Sequence, residues 1–171
     1  MTEREYLLGT GDDELTRLAL QNRLWGDVSA KTFRRAQLKM GHRALDVGCG
    51  PGFAAFDIAD IVTRYGSVFG VDESPAFIEH ANEQAQARGI QHFAGAVGDV
   101  QELDEVLSDQ EPFDFAYARW VLCFIADPEA AVGSMEAKVA SCARTPDWNS
   151  SSCWRITTMP LFIAESTVEM P

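Results

Sequence analysis

Basic side chains are scarce in this sequence. Its 171 residues include 14 Lys and Arg against 26 Asp and Glu, which gives a formal net charge of −12 at pH 7. Proteins that bind DNA, RNA or anionic membranes usually present a basic surface to the phosphates. The composition therefore argues against nucleic acid and membranes as partners, and it favours a small-molecule ligand.

The cysteines lack the spacing of a metal site. Cys49, Cys123, Cys142 and Cys153 form no C-x-x-C pair, and no histidine clusters with them. Structural zinc sites normally show such pairs. We therefore expect no metal site and no disulfide framework.

Long apolar runs are also missing. No stretch approaches the roughly 20 apolar residues that a membrane-spanning helix needs. The first residues, Met-Thr-Glu-Arg-Glu, lack the basic region and apolar run of a signal peptide. We expect a cytoplasmic protein, and the length suffices for one domain with a core.

What the sequence does contain is a glycine-rich turn between a predicted strand and a predicted helix. Residues 43–52 read Arg-Ala-Leu-Asp-Val-Gly-Cys-Gly-Pro-Gly, and apolar residues then recur at helical spacing from Phe53 to Val62. Glycines let the backbone approach a ligand closely, and the helix N-terminus offers it free N–H groups. The pattern predicts a ligand site at this turn.

The spacing of the glycines distinguishes two classes of ligand. Dinucleotide-binding turns follow G-x-G-x-x-G, whereas Phe53 stands here where that pattern has its third glycine. Asp46, two residues before Gly48, would be unfavourable beside a pyrophosphate. A carboxylate there suits a ligand that carries an ammonium group.

The pattern D-x-G-x-G-x-G over residues 46–52 resembles motif I of the class I methyltransferases that depend on S-adenosylmethionine (SAM). The resemblance implies SAM as cofactor. It also implies that Asp46 meets the methionine ammonium, and that Gly48, Gly50 and Gly52 let the backbone approach the methionyl part.

Two later positions fit the same family. Asp72 ends the second predicted strand, where an acid reaches ribose hydroxyls, and we place the adjacent Glu73 in the same site. Asp99 and Val100 follow the third strand, and the resemblance implies contact with adenine. The alternatives are a helix cap at Asp72, which Ser74 fits better, and an ordinary turn aspartate at Asp99.

The order of the elements predicts an α/β fold with a doubly wound parallel sheet of order 3-2-1-4. Two N-terminal helices, separated at Gly26-Asp27, would form a helical cover over residues 1–40, and residues 41–140 would form the SAM-binding domain. The predicted strands are 43–48, 68–71, 90–97 and 113–118. The predicted later helices are 52–65, 75–88, 101–108 and 128–142.

The resemblance stops after about residue 140. Residues 141–171 form an atypical tail without the family's apolar fifth strand, so we expect a shortened or altered domain. Residues 156–158 and 161–166 are two candidate short strands around Pro160. Either 161–166 pairs beside strand four as a makeshift strand, or that edge stays open and the protein self-associates.

The predicted function is methyl transfer from SAM to a small-molecule acceptor. No general base is identifiable, and Arg119, at the end of strand four, is the candidate on the acceptor side; the alternative is a surface salt bridge. Two other functions stay open: a SAM-binding module without catalysis, and an NAD(P)-dependent oxidoreductase.

Overall fold

The computed structural model describes residues 11–139 and the backbone of a strand over residues 156–159. Strands and helices alternate along most of this length. In chain order they are α1 (Asp12–Arg35), β1 (Arg43–Val47), α2 (Phe53–Val62), β2 (Ser67–Asp72), α3 (Pro75–Ala87), β3 (Phe93–Val97), α4 (Leu103–Val106), β4 (Phe115–Arg119), α5 (Pro128–Lys138) and β5 (Ile156–Met159).

The described strands form one parallel sheet of order β3-β2-β1-β4-β5. Asp46 in the central strand pairs with Gly70 of β2 on one side and with Tyr117 of β4 on the other. The carboxyl ends of β1, β2 and β4 therefore meet at one edge, where ligands of open α/β sheets bind. The predicted fold class and the order 3-2-1-4 are confirmed.

Helices cover both faces of the sheet because side chains along each strand alternate. On one face Ala44, Phe115 and Tyr117 pack into a core with Phe33 of α1 and the apolar side of α2. On the other face the core contains Leu45 and Val47, together with residues of α4 and α5. The sheet is doubly wound, as expected.

The prediction of two N-terminal helices is wrong. One helix, α1, continues through Gly26 and Asp27 to Arg35. A lone glycine inside a helix costs only about 1 kcal/mol relative to alanine. Burial of Ser29 and Phe33 beyond it outweighs that cost, because the Phe33 ring packs against Tyr117 of β4 with a centroid distance of 5.0 Å.

The predicted starts of α3 and α5 are confirmed by their caps. The Ser74 hydroxyl accepts from the Phe77 N–H at 3.3 Å, and the Asp127 carboxylate accepts from the Ala130 N–H at 2.9 Å. Other elements are shorter than predicted: β3 begins at Phe93, and the helix expected over 101–108 is the single turn of α4.

Of the two alternatives for the edge of β4, the open edge is not what the structure shows. The strand β5 pairs with β4 in parallel, from Ala116 opposite Ile156 to Arg119 opposite Met159. The segment 161–166, proposed for this place, lies outside the described residues. Residues 116–118 are at most 2% exposed, so β4 is a central strand that needs a neighbour on each side.

Candidate active site

A cleft of about 580 Å³ lies at the carboxyl ends of β1, β2 and β4. Seven of the eight residues predicted to bind the cofactor line it, as does Arg119. They are Asp46, Gly48, Gly50, Asp72, Glu73, Asp99 and Val100. Gly52 does not line the cleft. The fold thus brings together residues from position 46 to position 119, and their roles toward a ligand stay predictions.

The three glycines of the turn have positive φ angles of 66°, 53° and 88°, but their surroundings differ. A Cβ at Gly48 would overlap the side chain of Val121, and one at Gly52 would lie 2.9 Å from Phe56 of α2 and 3.1 Å from Ala81 of α3. At Gly50 nothing lies within 4 Å of that position. Gly50 is therefore the glycine whose missing side chain leaves space for a ligand.

Asp72 fixes the turn to the end of β2. Its Oδ2 accepts from the Gly50 N–H at 2.8 Å, and its Oδ1 accepts from the Ser74 N–H at 2.9 Å. Burial raises the pKa of Asp72, these two N–H groups lower it, and Glu73 raises it. Each carboxylate oxygen has a second lone pair, so both can still accept from a ligand.

Asp46 is a buried acid with an unused oxygen. It is 2% exposed, and its Oδ2 has no hydrogen-bond partner within the part of the chain that the structure describes. The pKa of Asp46 is raised to about 7. Burial is the largest cause, Arg119 lowers the pKa, and Asp72 and Asp57 raise it further. An unpaired buried carboxylate is unfavourable, so a cation in the cleft would be stabilising here.

Asp99 has the hydrogen bond of a turn aspartate and also lies at the cleft, where contact with adenine stays a prediction. Its Oδ1 accepts from the Gln101 N–H at 2.8 Å, which is the hydrogen bond of a turn aspartate. The same residue lines the cleft, next to Val100, which is 7% exposed.

Arg119 is held by α1. It donates to the Asn22 side-chain oxygen at 2.6 Å and to the Ser29 hydroxyl at 3.2 Å. Both partners are neutral, and Arg119 forms no salt bridge with any of the residues that the structure describes. Arg119 lines the cleft from this position.

Trp120, which the sequence places at the carboxyl end of β4 without a role of its own, lines the cleft. Its φ of 63° is rare for a bulky residue, and its ring packs edge-on against Trp25 of α1 at 5.5 Å. Within residues 11–139, its buried Nε1–H finds no acceptor. Strained backbone and unpaired polar groups concentrate at functional sites. No sequence signal pairs Trp25 with Trp120, because only the fold brings them together.

The wall beyond Trp120 is mostly apolar. Leu18 of α1, together with Val121, Phe124 and Ile125 after β4, lines this part of the cleft. Phe124 is 69% exposed, so the wall continues to the protein surface.

Two further features concern the described residues alone. Their helices include none that is long and apolar enough to cross a membrane. Their His, Cys, Asp and Glu side chains form no group of three or more that could hold a metal ion.

Comparison with known proteins gives a consistent result. A family model described as a methyltransferase domain matches residues 38–141. The aklanonic acid methyltransferase DauC of Streptomyces sp. (strain C5) is 33% identical over 95 residues, which are 56% of this chain and 40% of that protein. This chain therefore spans less than half the length of that relative.

Solved structures give the same fold. A SAM-dependent methyltransferase from Aquifex aeolicus superposes with a TM-score of 0.58 at 19% identity, over 66% of this chain and 58% of that one. The (4+2)-cyclase SpnF superposes with a TM-score of 0.57 at 25% identity, over 66% of this chain and 40% of that one.

Proposed function

Since this chain belongs to the class I SAM-dependent methyltransferase family, we propose that its cleft binds SAM and that the protein methylates a small-molecule acceptor. The observation that carries the proposal is Asp46, a buried carboxylate with an unpaired oxygen beside the turn at Gly48–Gly50. Family membership also argues against the alternative of an NAD(P)-dependent oxidoreductase.

The residues of the cleft fit SAM group by group. Asp46 suits the α-ammonium, and the N-terminus of α2 suits the carboxylate of the methionyl part. Asp72, with a free lone pair on each oxygen, and Glu73 suit the ribose hydroxyls. Asp99 and Val100 remain our candidates for the adenine.

The sulfonium of SAM supplies an already activated methyl group. The protein's main task is then to hold the acceptor in line with that group, which by itself lowers the barrier substantially. This agrees with a cleft in which we identify no general base among the described residues.

The apolar wall indicates the kind of acceptor. Leu18, Val121, Phe124 and Ile125 favour a largely apolar small molecule, and the Trp120 N–H is a donor for an oxygen atom on it. DauC, by its name, methylates aklanonic acid. An oxygenated apolar acceptor is therefore our proposal for the substrate class.

Two measurements test this function. Calorimetry should show SAM binding to the wild type and to Asp60→Asn, an exposed acid on α2, but not to Asp46→Asn. Mass spectrometry should then detect S-adenosylhomocysteine and a product 14 Da heavier when SAM is mixed with a panel of oxygenated apolar acceptors. Absence of SAM binding by the wild type would refute the proposal.

A second candidate is SAM binding without methyl transfer. The favouring observation is SpnF, a similar structure whose name describes a cyclase. This candidate predicts SAM binding without S-adenosylhomocysteine release for every acceptor that binds. Release with any acceptor would decide for the methyltransferase.

A further inference from the structure

A chain of hydrogen bonds crosses from α2 through α1 to β4 above the cleft. The Asn22 side-chain N–H donates to Asp57 Oδ2 at 3.0 Å, and the Asn22 oxygen accepts from Arg119 at 2.6 Å. Arg119 also donates to the Ser29 hydroxyl at 3.2 Å, and that hydroxyl lies 3.2 Å from the Tyr117 hydroxyl. Ser29 is 1% exposed, so part of this network is shielded from water.

The register of the sheet places Arg119 near Asp46. Asp46 pairs with Tyr117, and Arg119 lies two residues further along β4, on the same face of the sheet. This is the face that α1 covers, because Phe33 packs against Tyr117. Both Asp46 and Arg119 line the cleft.

Among the described residues, the other charges that act on Asp46 are negative. Asp72 from β2 and Asp57 from α2 raise its pKa, and Arg119 is the cation that lowers it. The neighbouring Cys49 and Tyr117 both have raised pKa values, with burial as the largest cause in each case. Arg119 therefore lowers the pKa of Asp46 against the combined effect of burial and the two acids.

We propose that Arg119 is a positioning residue whose charge favours the carboxylate form of Asp46, and that α1 holds Arg119 in place through Asn22 and Ser29. Packing of α1 against the sheet then completes the cofactor subsite at Asp46, because α1 holds Arg119 and Arg119 in turn acts on Asp46. The role toward SAM rests on the proposed function, whereas the coupling of Arg119 to Asp46 does not.

Direct titration of Asp46 tests the coupling in the ligand-free protein. Carboxyl-carbon NMR should show its midpoint rising by about one pH unit or more in Arg119→Met, since a nearby opposite charge is worth roughly 1–3 units. Arg119→Lys, which keeps the charge, should restore most of the midpoint. Arg23→Met removes an exposed charge of α1 and should leave it unchanged. An unchanged midpoint in folded Arg119→Met would overturn the proposal.

Substitutions in α1 test whether α1 holds Arg119 in place. This test does not require that Arg119→Met folds. Asn22→Ala and Ser29→Ala keep every charge but remove the groups that hold Arg119, and neither residue lines the cleft. Each should raise the Asp46 midpoint and weaken SAM binding several-fold. An unchanged midpoint in both variants would overturn the role of α1. If the wild type binds no SAM, the proposed function fails, and the NMR titrations still decide this inference.

Discussion

The two walls of the cleft are built in different ways. The β1–β2 wall, residues 46–50 and 72–74, consists of a glycine turn and three acids, of which Asp72 is held by backbone N–H groups. The α1–β4 wall, formed by Arg119 and Trp120 with the α1 residues behind them, depends on contacts across 90 and 97 positions of sequence. One wall is specified by local sequence, and the other only by tertiary packing.

In our proposal the two walls also have different roles. The β1–β2 wall offers fixed groups to the parts of SAM that all relatives would share. The α1–β4 wall supplies the aromatic and cationic side chains that face the acceptor or support Asp46. Substitutions in the β1–β2 wall should therefore affect cofactor binding directly. Substitutions in the α1–β4 wall should act by changing how the acceptor is placed or how Asp46 is supported.

The largest expected effect in the β1–β2 wall is that of Gly50→Val. The turn has open space at this position, so the fold should survive a strain of about 1–2 kcal/mol, while the side chain fills the ligand's place. Calorimetry should detect no SAM binding. Gly89→Val is the matched control, since Gly89 has a φ of 71° and open space but lies after α3. Near wild-type SAM affinity in Gly50→Val would place the ligand elsewhere.

A second test uses pH. The pKa of Asp46 is raised from 3.8 to about 7, so between these values the folded protein holds a proton that the unfolded chain has lost. Its stability should fall as pH rises through that window, by up to about 4 kcal/mol. Denaturant unfolding at pH 4 and pH 8 should show this slope for the wild type and for Asp60→Asn, but not for Asp46→Asn. Equal slopes in all three proteins would mean that Asp46 has an ordinary pKa.

The contrast between the two walls also explains which parts of the site the sequence could predict. Motif spacing placed Asp46, Gly50 and Asp72 at the cleft because a strand–turn–helix unit has few conformations. It misjudged the break at Gly26, because local helix propensity carries no information on the packing of Phe33 against β4. It also did not predict the contact between Trp120 and Trp25 of α1, because only the fold brings the two rings together.

The C-terminal part shows another limit of sequence reasoning. The sequence predicts a short strand at 156–158, and Ile156–Met159 does form one. Its partner was misjudged, because the sequence favoured 161–166 as the neighbour of β4, whereas Ile156–Met159 pairs with it.

An intermediate effect is expected for Asp72→Ala. A hydrogen bond that involves a charged group is worth roughly 1.5–3 kcal/mol, so SAM affinity should fall about ten- to a hundredfold. Loss of the bond to the Gly50 N–H would add to this by loosening the turn. Calorimetry against Asp60→Ala measures the difference, and unchanged affinity would remove Asp72 from the site.

The smallest expected effect lies in the α1–β4 wall, at the glycine that misled the sequence interpretation. Gly26 is inside α1, and a Cβ there would have no atom within 4 Å. Gly26→Ala should therefore stabilise the protein by about 0.5–1 kcal/mol through helix propensity alone, without changing SAM affinity. Denaturant unfolding measures the first quantity, and calorimetry the second. A destabilised variant would mean that the chain does break at Gly26. Asn22 and Ser29 would then lie on separate helices, and α1 could not hold Arg119 as one rigid element.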